Sequence, residues 1–207
     1  MSSESLPLHQ IRVVEFCSTA AGPFASMLLS KGATVVKVEP PSGDGLRQWP
    51  PLNDGFSENF VSLNRNKKSV VLNLKNDEDN AIARRLVLDA DVVIENNRPG
   101  VMDRLRLGYA HFAVDRPDLI YCSISAYGHT GPRADEGGFD LTIQAAAGVM
   151  SVTGESEGAP VKCGVPISDF ASGLYAAFAI AAGNDGLGAT SVGFSRPNAW
   201  RAMCKRF

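Results

Sequence analysis

Neither the cysteines nor the histidines of this chain are spaced for a metal centre or a disulfide framework. Cys17, Cys122, Cys163 and Cys204 are far apart and form no Cys-x-x-Cys pair, which argues against zinc sites and disulfide scaffolds alike. His9, His111 and His129 are equally scattered and give no ligand spacing. A dominant charge is also lacking: 20 basic against 22 acidic residues leave a net −2, no field to draw nucleic acid or an anionic membrane. No apolar run approaches the roughly 18–20 residues that span a bilayer; the longest, residues 174–182, reads as a buried helix. The start, MSSESLPLHQ, has neither the basic residues nor the apolar core of a signal peptide. These absences make a reduced, cytoplasmic protein without metal or prosthetic group the expectation. The 207 residues, 44% of them hydrophobic, are enough for a proper core.

What is present is an alternation of short apolar runs and helical patterns. Residues 11–16 (IRVVEF) read as a strand, followed by a small-residue turn in which Pro23 suits a first helical position. Phe24, Met27, Leu28 and Lys31 follow at helical spacing and Gly32 stops them. Residues 34–38 are a second strand, closed by Glu39 and broken by Pro40-Pro41. This order is a parallel βαβ unit, so the predicted fold is α/β: a Rossmann-like open, mostly parallel sheet with helices on both faces. The first turn, STAAGPF, lacks G-x-G-x-x-G, which argues against a dinucleotide site despite Glu39 at the second strand's end.

Residues 41–62 read as a long surface loop carrying Arg47 and Trp49. Arg65, Lys67 and Lys68 make a basic turn, either a solvated rim or a phosphate contact. A third strand over 69–74, an amphipathic helix over 76–90 and a fourth strand over 91–95 follow. The fourth strand runs into the turn Asn96-Asn97-Arg98-Pro99-Gly100, with Arg104 one turn into a short helix. A fifth strand over 120–124, a loop to Gly138 and a helix over 139–150 complete this part. Strand-end loops are where open α/β sheets bind ligands. Lys75, Arg98 and Arg104 beside strand ends suit a phosphorylated ligand, or are plain surface charges.

Asp169 stands where an extended piece, GVPIS, gives way to an apolar helix. Two readings are open: a helix cap, the commonest task of Asp at such a position, or a nucleophile. In either, the free N–H groups and dipole of the helix start should keep it ionised.

Taken together, RVVEF…AAGPF, GATVVKVEPPSGD, NRNKKSVVLNLK, DVVIENNRPGVMDRL, IYCSISAYGHTGP and GVPISDFASGLYA resemble the class III CoA-transferases, the family that includes formyl-CoA transferase, carnitine CoA-transferase and α-methylacyl-CoA racemase. The set is in family order over residues 11 to about 182. The resemblance implies CoA transfer between an acyl-CoA and a carboxylic acid, with Asp169 forming first an aspartyl–acyl anhydride and then an aspartyl–CoA thioester. It implies that coenzyme A, a substrate rather than a resident group, lies along Ala20 and Ala21, along Leu72, Asn73, Leu74 and Lys75, and along Asn96, Asn97 and Arg98. Arg104 would meet phosphate, and Glu136, Gly137, Gly138 and Phe139 would approach the thioester end. The helix start after Asp169 would offer backbone N–H groups to a developing oxyanion.

Three positions depart from the family pattern. Pro40 stands where the transferases often have an adenine-stacking Arg, which leaves Arg47 as the candidate replacement. Asn97 replaces an aromatic residue, and Arg106 a glycine. The racemase branch needs a His at the position of Phe139 in Gly138-Phe139-Asp140, so transfer is favoured over racemisation. After Ala182 the pattern dissolves into GNDGLGATSVGFSRPNAWRAMCKRF. The expectation is therefore a CoA-binding domain over 1–182, an irregular tail over 183–207, and a chain lacking most of the second domain that full-length homodimers of the family use. A CoA-binding fragment without turnover is the remaining alternative.

Overall fold

The computed structural model describes residues 6–184; Cys204 and nearly all of the tail lie outside the described residues. In chain order, β1 (Arg12–Phe16), α1 (Ala21–Leu29) and β2 (Thr34–Glu39) form the first βαβ unit. A hairpin of β3 (Leu52–Asn53) and β4 (Phe56–Ser57) then precedes α2 (Glu58–Asn64). Next come β5 (Lys67–Val71), α3 (Asp77–Leu88), β6 (Val92–Glu95) and α4 (Val101–Arg104). β7 (Ile120–Ser123), α5 (Asp140–Ala146) and α6 (Ile167–Asn184) follow.

The main sheet runs β5-β2-β1-β6-β7, and each neighbouring pair is parallel. The chain steps outward from β1 to β5, then returns to the other side of β1. That reversal leaves a crevice at the carboxyl ends of β1 and β6. Every residue of β6 and β7 is buried, because helices cover both faces and strands so covered read as unbroken apolar runs. On one face, Ala25 and Leu29 of α1 and Ala176, Ala179 and Ile180 of α6 pack over Val13, Val35, Ile94 and Cys122. On the other, Ala83 and Val87 of α3, with Met102, Leu107 and Phe112, cover Val14, Val93 and Tyr121. Each such aliphatic side chain contributes about 1.5–3 kcal/mol when fully buried.

α1 and α6 cross closely because position 173 has no side chain: a Cβ there would stand 2.5 Å from the Ala21 carbonyl oxygen. This approach brings the start of α6, and Asp169 with it, beside the first turn of α1.

Four expectations need correction. The third main strand begins at Lys67, not 69, and Lys67 is no rim residue. Its ammonium is buried, 3.1 Å from Glu15, and donates to the Pro23 carbonyl and Asn64 Oδ1, both at 2.9 Å. Lys37 joins the same cluster, 3.1 Å from Glu15 and 2.9 Å from Asp44. Second, the supposed loop over 41–62 holds a 3-10 turn at Gly45–Gln48, the hairpin and most of α2; Asp44 and Arg47 tie it to the sheet. Third, the helix expected over 139–150 stops at Ala146, and a separate 3-10 turn, Val149–Val152, follows Gly148 at φ +77°. Fourth, α6 starts at Ile167, within the piece read as extended, which puts Asp169 in the first turn, one of the two positions expected for it.

Candidate functional site

A cleft of about 130 Å³ opens at the carboxyl edge of the sheet. Of the residues singled out from the sequence, Ala21, Asn96, Asn97, Arg98, Glu136, Gly137, Gly138, Phe139 and Asp169 all line it. Ala20, Leu72, Asn73, Leu74, Lys75 and Arg104 lie outside this lining. Ala20 is buried against Leu46 and Leu63, and Leu72 is buried in the core under α3. The Asn73 N–H donates to Asp79 at 2.7 Å, and its side chain accepts from the Lys75 N–H at 3.3 Å. Sequence reasoning missed Pro99, Ile124, Ser125, Ala126, Ile143, Ser168 and Ser172, which also line the cleft. The end of β7 at Ser123 was the available signal, since residues just past a strand end face the same crevice as those past β6. Ser172 lies three positions after Asp169, on the same helix face.

The wall after β6 is held rigidly. The Asn96 side chain donates to the Ser18 carbonyl at 2.8 Å and accepts from the Ser18 N–H at 3.0 Å, binding this turn to the one after β1. The Asn97 side chain donates to the Phe16 carbonyl at 3.0 Å, and its backbone N–H donates to Glu95 at 2.8 Å. Asn97 is thus a brace between β1 and β6. The Arg98 guanidinium lies against Gly137, where a Cβ would be 3.0 Å from its nearest nitrogen. Arg47 is held by Glu39 and Phe60, with its side chain 43% exposed. It donates twice to Glu39 at 2.7 Å and lies 3.9 Å from the centre of the Phe60 ring. Burial pushes the Glu39 carboxyl up, but donors from Arg47, Ser69 and the Asp44 N–H outweigh it and hold the group at about 2.

The start of α6 shows how Asp169 is placed. Pro166 accepts the first helical bond, from the Phe170 N–H at 3.0 Å, but has no side-chain acceptor for the next free N–H groups. Asp140, the first residue of α5, supplies it. Its carboxylate accepts from the Ser168 N–H at 2.8 Å and the Asp169 N–H at 3.4 Å. Buried Gln144 donates to the other Asp140 oxygen at 2.5 Å and accepts from the Cys163 N–H at 2.8 Å. The cap is therefore Asp140, and the Asp169 carboxyl is left to line the cleft. One expectation falls with this, and the helix start is not what keeps Asp169 ionised. The N–H groups of Ile167, Ser168, Asp169 and Phe170 are all engaged, by Val165, Asp140 and Pro166, so the helix start offers no free oxyanion donors. Asp169 is also not held low: burial, then the nearby Asp140 charge, raise it to about 6. A carboxylate so tuned is mostly ionised at neutral pH yet more basic than usual, as an acyl-transfer nucleophile requires. Ser125 adds a buried hydroxyl without a hydrogen-bond partner among the described residues in the same lining.

Comparison with known proteins agrees with this geometry. CoA-transferase family III is matched over residues 8–195. The succinate–glutarate CoA-transferase of Agrobacterium fabrum is 44% identical over 191 residues, covering 88% of this chain and 48% of the relative. The mouse succinyl-CoA:glutarate CoA-transferase is 43% identical over 180 residues, covering 86% of this chain and 41% of the relative. A crystal structure of a CAIB/BAIF family protein from Brucella suis superposes with a TM-score of 0.81 at 41% identity, over 84% of this chain and 48% of that one. The chain thus spans about half the length of the relatives it matches.

Proposed function

From the premise that this chain belongs to CoA-transferase family III, we propose that it moves CoA from an acyl-CoA to a carboxylic acid, with Asp169 as the nucleophile. The observation that carries this reading is the Asp169 carboxyl itself: raised to about 6, set in the cleft lining, and relieved of capping by Asp140.

In the first step an Asp169 oxygen attacks the thioester carbon. The C–S bond breaks, CoA leaves as the thiolate, and an aspartyl–acyl anhydride forms. The thiolate then attacks the Asp169 carbonyl of the anhydride and releases the donor's carboxylate, leaving an aspartyl–CoA thioester. The acceptor carboxylate repeats the sequence in reverse, and each exchange conserves charge without an added oxidant or base. Covalent catalysis of this kind replaces one difficult exchange by easier ones. The oxyanion of each tetrahedral stage needs donors, and the Ser125 and Ser172 hydroxyls are the candidates in the lining. CoA would run with its phosphates toward Lys75 and Arg104 and its pantetheine along Asn96–Arg98 to Glu136–Phe139. Relatives named for glutarate, mesaconate and oxalate support a dicarboxylic acid as the acceptor class.

Incubating the protein with succinyl-CoA and hydroxylamine should leave a hydroxamate on the peptide containing Asp169, read by mass spectrometry. Asp169→Ala should lose that label and reduce exchange by on the order of 10³-fold or more. Equal exchange by Asp169→Ala sinks the assignment. A second reading is CoA binding without exchange, since the helix start leaves no N–H free for an oxyanion. Calorimetry with CoA that detects binding, alongside a transfer assay that detects none, would select it.

A further inference from the structure

Glu95, the last residue of β6, is a carboxylate 4% exposed with no Lys or Arg paired to it among the described residues. One of its oxygens accepts from the Asn97 N–H at 2.8 Å and from the Asn97 side chain at 3.4 Å. The other accepts from the Ser123 hydroxyl, directly across the β6–β7 register. Ser123 Oγ is in turn 2.7 Å from His129 Nε2, on the exposed loop after β7. A hydrogen-bonded chain thus leads from solvent, through His129 and Ser123, to the carboxylate that holds Asn97 in the cleft wall.

We propose that Glu95 is the positioning residue of the CoA-facing turn Asn96–Arg98, acting through Asn97, and that Ser123 and His129 let it gain or lose a proton without breaking that hold. This role rests on the CoA-binding reading of the cleft. With Glu95 ionised, Ser123 donates to it and His129 donates to Ser123. With Glu95 protonated, its own O–H donates to Ser123 Oγ, which keeps its contact with His129 Nε2. In both states the second Glu95 oxygen still accepts from Asn97, more strongly when charged. The groups facing Glu95 from the neighbouring elements are Asp103 on α4, Tyr121 and Cys122 on β7, and Cys17 after β1. None is a cation. Burial is the main cause that lifts Glu95 to about 7, against the Asn97 bonds that lower it. The wall of the cleft therefore tightens as pH rises through neutrality.

The test has one arm without ligand and one with it. In an NMR pH titration of the unliganded protein, the Asn97 backbone amide should shift with a midpoint near 7, the value of Glu95. Glu95→Gln should abolish that titration. Ser123→Ala, which removes a donor to the carboxylate, should raise its midpoint. An Asn97 amide that does not titrate near neutrality, or that titrates identically in Glu95→Gln, overturns the inference. In the second arm, calorimetry with 3′-dephospho-CoA follows affinity from pH 6 to 8.5 in the Asp169→Asn background, which removes the nucleophile's own titration. Glu95→Gln should bind within about 3-fold of its parent with a flat pH dependence, because its carbonyl still accepts from Asn97. Glu95→Ala should bind about 10-fold more weakly, compared at a temperature where circular dichroism shows both proteins fully folded. Parental affinity in Glu95→Ala overturns the positioning role. No binding by any protein, with the Asn97 titration as expected, fails the CoA reading and leaves the Glu95–Asn97 link standing.

Discussion

Asp169 and Asp140 illustrate how two like charges divide the work of one helix start. Asp169 was legible in the sequence as a carboxyl at a strand-to-helix junction, but its protonation was not. Burial raises it first and the charge of Asp140, 29 residues earlier, adds to that; both come only with the fold. The folded protein holds the Asp169 proton more tightly than the unfolded chain, since the group rises from 3.8 to about 6. Below 3.8 both states are protonated and the shift costs nothing. Stability falls as pH rises from there to about 6, and above that the full penalty applies. Asp169→Asn should therefore stabilise the protein at pH 8 by about 1–2 kcal/mol, a figure discounted for the half-buried carboxyl's contact with water. Thermal melts should show a rise of a few degrees at pH 8 and none at pH 3.5; an equal rise at both would contradict the assignment. Asp140→Asn keeps an oxygen for the Ser168 N–H but removes the repelling charge. In a transfer assay its acidic limb should move below the parent's, which is expected at about 6; an unmoved limb would separate Asp140 from the nucleophile.

At the scale of elements, all five strands of the main sheet were readable, but the bounds of β5, one of its two edges, were misplaced. Residues of β1, β2, β6 and β7 announce themselves as apolar runs because both faces are covered. β5 begins with two lysines, and its charge makes it look like a turn. Lys67 belongs in the strand because Glu15, 52 residues away, awaits it beneath α1, a pairing no local pattern encodes. The long apparent loop between β2 and β5 was misread for a related reason, since buried Asp44 and the Arg47–Glu39 pair fasten polar segments to the sheet. Lys37→Met should lower stability by about 3–5 kcal/mol in denaturant unfolding, because Glu15 and Asp44 would lose a buried partner. A loss under about 1 kcal/mol would mean that the cluster is not charged as drawn. The α1–α6 crossing makes a second demand. Gly173→Ala would place a Cβ 2.5 Å from the Ala21 carbonyl, forcing the helices apart and costing about 1–3 kcal/mol. Because α6 carries Asp169, transfer should fall with stability, whereas Ala171→Gly on the same helix should cost stability alone.

For the whole molecule, the sheet is covered on both faces, yet α6 is not apolar on one side only. Ala176, Ala179 and Ile180 face the core, whereas Leu174, Tyr175 and Phe178 are 56%, 65% and 68% exposed. Their spacing puts these three on one outer stripe. From the sequence this helix looked wholly buried, because its apolar residues run all the way round. The described residues cover one side of it. A contiguous aromatic and aliphatic stripe of this kind should behave as a sticky surface. At tens of micromolar the protein should enhance the fluorescence of an apolar dye and show concentration-dependent mass in light scattering. Tyr175→Lys with Phe178→Lys should reduce both signals while shifting the unfolding midpoint little, since exposed substitutions stay within about 0.5 kcal/mol each. If the double variant instead unfolds, the stripe is part of the core in solution. If the parent binds no dye and stays monomeric, the stripe is covered there by something other than a second copy.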